Sequence, residues 1–357
     1  MTKQKKIKLG FVPLSDCAPL IMAQELDLFR KYDLDVVLSR EVGWASVRDK
    51  VVYGELDAAH ALGPLAFTAS LGLGTTPADC LTGLVLNLNG NAITLSNELW
   101  TRGVRDARSL NDEIVRNRGQ KTFTFGVVFP FSSHNFILRE WLAAAGIHPD
   151  RDVRIVIVPP ASMAANLKAG NLDGFSVGEP WNSIAIQSRA GWCAATTSQL
   201  APFHPEKVLL VRRQFSEARH EEHIRLIAAL LEACAYCDRP ENHEMIVNTI
   251  GQARFLNVPP DCLRPGFSGA FGFGPDRTER LPDIMVFSRH DANEPSIDKA
   301  AWIINHLIRS GIMKSPARLH PSHARNHFRV DLYEEARRLV DSSGSALAAN
   351  ETILAPG

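Results

Sequence analysis

Short, almost wholly apolar runs alternate with helical stretches from the start of this chain, and that alternation leaves few folds open. KIKLGFVPL (6–14) reads as a strand apolar enough to be buried on both faces, as parallel strands are. Ser15-Asp16 then reads as an N-cap for a helix over 18–31, with Pro19 tolerated in its first turn. DLDVVLSRE (33–41) is a second strand, so the opening unit is β-α-β with a right-handed crossover expected. The next stretch, SREVGWASVRDKVVYGELDAAHALGPLA (39–66), holds a strand end, a Gly43-Trp44 turn, a helix, a short strand at 57–60 and a loop into another helix. Trp44 and His60 therefore fall on loops at the C-terminal ends of parallel strands, where open α/β sheets place their ligands.

The pattern restarts further on. Residues 81–99 read as one long strand interrupted at Asn89-Gly90-Asn91, a break that makes backbone amides available because glycine allows close approach. The polar segment 101–120 reads as exposed helix. KTFTFGVVFP (121–130) is a strand, Ser132-Ser133 caps a helix over 134–145, and 151–160 is a strand before a helix at 161–169. LDGFSVGEPW (172–181) is a strand entering a Gly-Glu-Pro-Trp loop, followed by strands near 194–197 and at 204–215. Beyond lie amphipathic helices over 216–236, 242–249 (Asn242 as N-cap) and 299–310. Residues 263–296 read as ordered loop with short helical turns, and the tail from Asp341 as loosely held.

Two β-α-β runs give an α/β, two-lobed fold with a ligand cleft between lobes that closes by hinge motion. The expected division is 1–105 plus 205–357 for the first lobe and 106–204 for the second, the strand at 205–213 carrying the chain back. A single doubly wound enzyme domain is the alternative.

Lys plus Arg and Asp plus Glu number 39 each, so the basic excess of a nucleic-acid binder is missing and no direct nucleic-acid contact is expected. Cys234-x-x-Cys237 follows Ile224, Ile227, Leu230 and Leu231 at helical spacing and reads as core packing rather than metal or redox chemistry. The basic run MTKQKK leads straight into a strand without the ~7–15-residue apolar region of a secretory signal. No window approaches the ~20 apolar residues of a membrane span, so a cytoplasmic location is expected. No Gly-rich phosphate loop, H-E-x-x-H or G-x-S-x-G points to catalysis, and no enzyme is expected.

Several long runs carry a family likeness: GFVPLSDCAPLIMAQELDLFRKYDLDV, SREVGWASVRDKVVYGELDAAHALGPL, LNLNGNAITLS, HNFILREWLAAAGIHPDRDV, and DGFSVGEPWN followed by HPEKVLLV. In this order they resemble the nitrate/bicarbonate-binding branch of ABC-transporter substrate-binding proteins, with the type II periplasmic-binding-protein fold. Transporter members of that family are exported or lipid-anchored. The start of this chain carries neither signal, so the resemblance is to the cytoplasmic nitrate/nitrite sensor of the NasS type. It implies a partner, an antiterminator of the NasT type with an RNA-binding ANTAR domain, held when ligand-free and released on nitrate or nitrite binding. Two alternatives stay open. One is the substrate-binding component of a nitrate/nitrite or bicarbonate ABC transporter. The other is an enzyme like those of thiamine-pyrimidine synthesis, whose cysteine-rich iron-binding run is not seen here.

A planar monovalent anion needs one positive charge, a few N–H donors and a closed, largely apolar wall. Lys207, in HPEK, is the candidate charge. The bicarbonate-binding relatives are expected to carry an acidic residue there with a bound cation, so Lys207 favours nitrate or nitrite and needs no metal or cofactor. Trp44 offers an indole N–H and a flat wall, which the family places over the ligand. His134 begins a helix, so its ring and the free amides could both face an anion. Gly90, Asn91 and Thr94 are candidate donors at the strand break. Pro160, Glu179 and Trp181 are expected to line or close the cleft, with Glu179 as partner for Lys207 or as a hinge lock. His60 and Asp16 rank below these, each read first as structural.

Overall fold

The first strand, β1 (Ile7–Phe11), pairs in parallel with β2 (Val36–Arg40) on one side and β3 (Ala58–Leu62) on the other, completing the expected β-α-β start. β4 (Cys80–Leu81) and β5 (Val85–Asn89) follow before the chain leaves this sheet. The computed structural model, which describes residues 5–274, 277–313 and 321–353, shows the exit at Gly90, whose φ of 100° few other residues adopt. Directly after it, β6 (Asn91–Ser96) enters a second sheet with β7 (Phe123–Val127), β8 (Val153–Ile157), β9 (Gly174–Gly178) and β10 (Gly191–Thr196), in the order β10-β6-β9-β7-β8. The return strand, β11 (Pro205–Arg212), inserts antiparallel between β3 and β5. The hairpin β12 (Ala270–Gly274) and β13 (Arg277–Arg280) follows, and β14 (Met285–Val286) closes the first sheet beside β5.

Two corrections to the sequence reading bear on the site. Residues 91–96 belong to the second sheet, so the crossover lies at Gly90 and not near 105; what read as one interrupted strand is two strands in different sheets. Ser15-Asp16 does not cap the first helix. Ser15–Cys17 is a 3₁₀ turn, and Cys17 precedes the helix Ala18–Glu25 without a side-chain cap, because Asp16 is committed elsewhere. The helix expected over 18–31 also divides where Asp27 takes φ 55°, resuming at Leu28–Lys31.

The region expected as loop at 263–296 contains the helix Pro260–Ser268 and the β12–β13 hairpin. The hairpin lies against the second lobe, where Gly272 faces Ile186 and Gly274 faces Trp192. The tail from Asp341, expected to be loose, continues the helix Val330–Ile353; residues 354–357 lie outside the described residues. The helix His220–Cys237 packs on the first sheet, and both Cys234 and Cys237 are buried free thiols in the core. No described helix is long and apolar enough to cross a membrane.

The larger core runs from β1, β3 and β11 across the seam to Phe136, Phe175 and Val177 of the second lobe. A smaller one, with Leu110, Phe125 and Leu142, fills the far face of the second sheet. The lobes meet closely: Trp181 Nε1 donates to the Pro13 carbonyl at 3.2 Å, and Ser15 N to the Glu179 carbonyl at 2.8 Å. A Cβ on Gly178 would stand 2.7 Å from Leu14 Cδ2, so any larger residue there would have to displace the Leu14 side chain across the seam.

Candidate functional site

β11 is irregular at one point. Its register against β5 shifts on both sides of Lys207, a bulge that re-aims side chains which strict alternation would send to opposite faces. Glu206 and Lys207 consequently touch, with Lys207 Nζ 2.6 Å from Glu206 Oε1. The same ammonium lies 2.7 Å from Asp16 Oδ2, on the turn leaving β1. Asp16 Oδ1 is in turn 2.9 Å from Nε2 of His60 on β3. Three neighbouring strands of the first sheet thus position four ionisable side chains, all essentially without solvent exposure.

The second lobe meets this group at the start of the helix Ser133–Ala144. Ser132 caps that helix by accepting from Asn135 N, as expected of the serine pair. Ser133 Oγ donates to Glu206 Oε2, and His134 Nδ1 lies 3.6 Å from Glu206 Oε1. Asn91, first residue after the crossover, donates from Nδ2 to Glu206 Oε2 at 2.8 Å. His204 Nε2 approaches the same oxygen at 3.4 Å. Glu206 is the point where both lobes converge.

Burial, the largest single influence, pushes the Asp16 and Glu206 carboxyls up, but Lys207 together with the neighbouring histidines and their hydrogen bonds outweighs it. Asp16 is held below the usual carboxylate range and Glu206 well below it. Burial opposes the Lys207 charge in the same way, and the two carboxylates overcome it, raising its pKa. The histidines go the other way. Burial lowers His60 despite Asp16 beside it, and takes His134 down to about 4 despite Glu206. At neutral pH the cluster therefore holds the Lys207 cation, the Asp16 and Glu206 carboxylates, and His60 and His134 as neutral imidazoles.

Trp44 forms the wall of this cluster. Its ring lies 5.3 Å from Lys207 Nζ and 5.6 Å from the His60 ring, and its Nε1 is buried with no hydrogen-bond partner. Its other surroundings are the interlobe cleft: Trp44 lines a cavity of about 720 Å³ with Gly43, Val42, Phe129 and Pro160. Both nitrogens of His134, Nδ1 of His60 and Oδ1 of Asn91 are likewise buried without hydrogen-bond partners. Such groups cost free energy unless something completes them.

The structure thus brings Trp44, Asn91, His134 and Lys207 to one place and sets Pro160 at the cleft mouth. The other expected residues lie differently. The Gly90 amide is not free, since it donates to the Ile284 carbonyl at 2.7 Å; its role is the crossover itself. Thr94 Oγ1 is spent on Asn182 Oδ1 at 2.8 Å, inside the second lobe. Glu179 is not the partner of Lys207: its carboxyl bonds Ser183, and burial lifts it to about 7. Trp181, expected to line or close the cleft, does tie the lobes, through the Pro13 carbonyl. Glu206, Ser133 and His204 were missed. Glu206 stands beside Lys207 in HPEK, but alternation along a strand would have turned it away, and only the bulge brings it back. Among the described residues, no group of three or more His, Cys, Asp or Glu side chains is placed to hold a metal ion.

A family model described as the NMT1-like family matches residues 1–251. The chain is 30% identical over 355 residues to the nitrate/nitrite binding protein NrtA of Nostoc sp., covering 97% of this chain and 80% of that protein. It is 38% identical to the nitrate import ATP-binding protein NrtC of Synechocystis sp., over 87% of this chain. The chain spans about half the length of that relative, 47%. The crystal structure of the periplasmic nitrate-binding protein NrtA from Synechocystis superposes with a TM-score of 0.90 at 30% identity, covering 95% of this chain and 89% of that one.

Proposed function

This chain belongs to the NMT1-like family, in the nitrate/bicarbonate-binding branch of ABC-type substrate-binding proteins, and from that premise we propose that it binds nitrate or nitrite between its lobes. One observation carries the reading: a buried lysine, Lys207, lies against the Trp44 ring, beside buried polar atoms of Trp44 and His134 that lack hydrogen-bond partners. A small planar oxyanion could accept from those groups while the tryptophan face covers it. The arrangement favours binding over catalysis, as in the relatives named as binding proteins.

The finer form of the proposal is a sensor. Ligand-free and with lobes apart, the protein holds an antiterminator bearing an RNA-binding ANTAR domain in the cytoplasm; the anion favours the closed form and the partner is released. A ligand shifts that balance only by its preference for one form. What supports this is the likeness of the sequence runs and the balanced charge, 39 basic against 39 acidic residues, which leaves RNA contact to a partner.

Thermal unfolding with nitrate, nitrite, bicarbonate and chloride tests the anion. Nitrate or nitrite is expected to raise the midpoint with concentration, by mass action on the folded state. A rise with bicarbonate alone would reverse the assignment. For the sensor role, an immobilised ANTAR-domain antiterminator is expected to retain the protein without nitrate and release it with nitrate; indifference to nitrate would leave the transporter component as the reading.

A further inference from the structure

We propose that the buried site takes up its anion together with a proton, and that His134 receives it; the proposal rests on the anion-binding reading above. The charge count forces the question. Lys207 contributes one positive charge, and Asp16 and Glu206 two negative ones, all without solvent exposure. The cluster is thus at minus one before any anion enters, and nitrate would take it to minus two. Two uncompensated charges in a buried site are far more costly than in water.

The hydrogen bonds point the same way. Lys207 has three donors; one bonds Glu206 Oε1 at 2.6 Å, and the ammonium also lies 2.7 Å from Asp16 Oδ2 in an ion pair. Of the three imidazoles, His60 is held by Asp16 through Nε2, and His204 by the Ala201 carbonyl through Nδ1 at 2.9 Å. His134 alone among them has both ring nitrogens buried and unpartnered, one of them 3.6 Å from Glu206 Oε1. As an imidazolium it would offer one N–H toward Glu206 and a second toward the anion, restoring the cluster to minus one.

The groups facing His134 are Glu206 and Lys207 on β11, His204 just before it, and Asp16 on the turn after β1. These leave the ring at about 4, burial being the dominant cause, so it is uncharged near neutrality, with one N–H rather than two. An anion beside it adds the negative charge that burial now overrides. Nitrate has no proton to give at these pH values, so one must come from solvent.

Calorimetric titration of the full chain with sodium nitrate at pH 7, in buffers of different ionisation enthalpy, counts that proton. About one proton taken up per nitrate is expected, with affinity weakening by up to about tenfold for each unit of rising pH. In Glu206→Gln, which removes one negative charge, the uptake is expected to fall toward zero, and in His134→Gln uptake and affinity are expected to fall together. Nitrate binding with zero uptake in the unaltered protein overturns the proposal while leaving the anion reading intact. Undiminished uptake in His134→Gln overturns the assignment to that residue. No nitrate binding at all overturns the anion reading, and the proposal with it.

Discussion

In the first lobe, β1, β3 and β11 hold Asp16, His60, Glu206 and Lys207 within direct contact of one another. In the second, what reaches that cluster is the Asn91 amide together with a serine hydroxyl and an unbonded imidazole at the start of one helix. Formal charge therefore lies on one lobe and neutral hydrogen-bonding capacity on the other. The first lobe can settle its ion pairs with the cleft open or closed, since Lys207, Asp16 and His60 share a single sheet. The second lobe adds what only closure can add, through Ser133, His134 and Asn91 on Glu206. The proposed anion site would draw on this asymmetry: a fixed, paired cation in one lobe and a hydrogen-bonding complement that comes from the other.

The strongest way to break the contrast is to remove the first lobe's cation. Lys207→Met leaves two buried carboxylates uncompensated, and urea denaturation is expected to show a loss of about 3–5 kcal/mol. Acid is the next lever, and it acts on the second lobe. Because His134 binds its proton at about 4 in the folded chain, the unfolded chain protonates first as pH falls below about 6.5. The stability is whole above that pH and lost progressively down to about 4, on the order of 3 kcal/mol from this residue. Denaturation midpoints of His134→Gln across that window are expected to fall less steeply than those of the unaltered protein. Smaller again is the seam itself: Trp181→Phe deletes the bond to the Pro13 carbonyl and is expected to cost about 1 kcal/mol, with easier opening visible as faster amide exchange near the hinge. Least of all is the exposed pair across the lobes, Glu140 with Arg309 at 3.1 Å; Glu140→Ala is expected to change stability by less than about 1 kcal/mol.

The order of strands and helices was legible because each β-α-β step is written locally, in apolar runs and their punctuation. Lys207, Trp44 and His134 were legible for a different reason, since family likeness attaches to short motifs. Contacts made over long separations were not. Asp16 reads locally as a cap, and nothing near it announces His60, 44 residues on. Glu206 was hidden by the bulge around Lys207, which no residue pattern in HPEKVLLV signals. The β12–β13 hairpin escaped notice because Gly272 and Gly274 weaken its strand signal. Gly90 was seen as a break, but whether a chain turns back or crosses to another sheet depends on neighbours that the sequence does not name.

Lys207 is the permanent cation of the proposed anion site, and calorimetry of nitrate binding beside Lys207→Glu tests that assignment most directly. Binding with a Kd on the order of 1 μM in the unaltered protein, weakened more than about a hundredfold in a variant confirmed to be folded, is the expected result. Equal nitrate binding in both, or none in the unaltered protein, would contradict it.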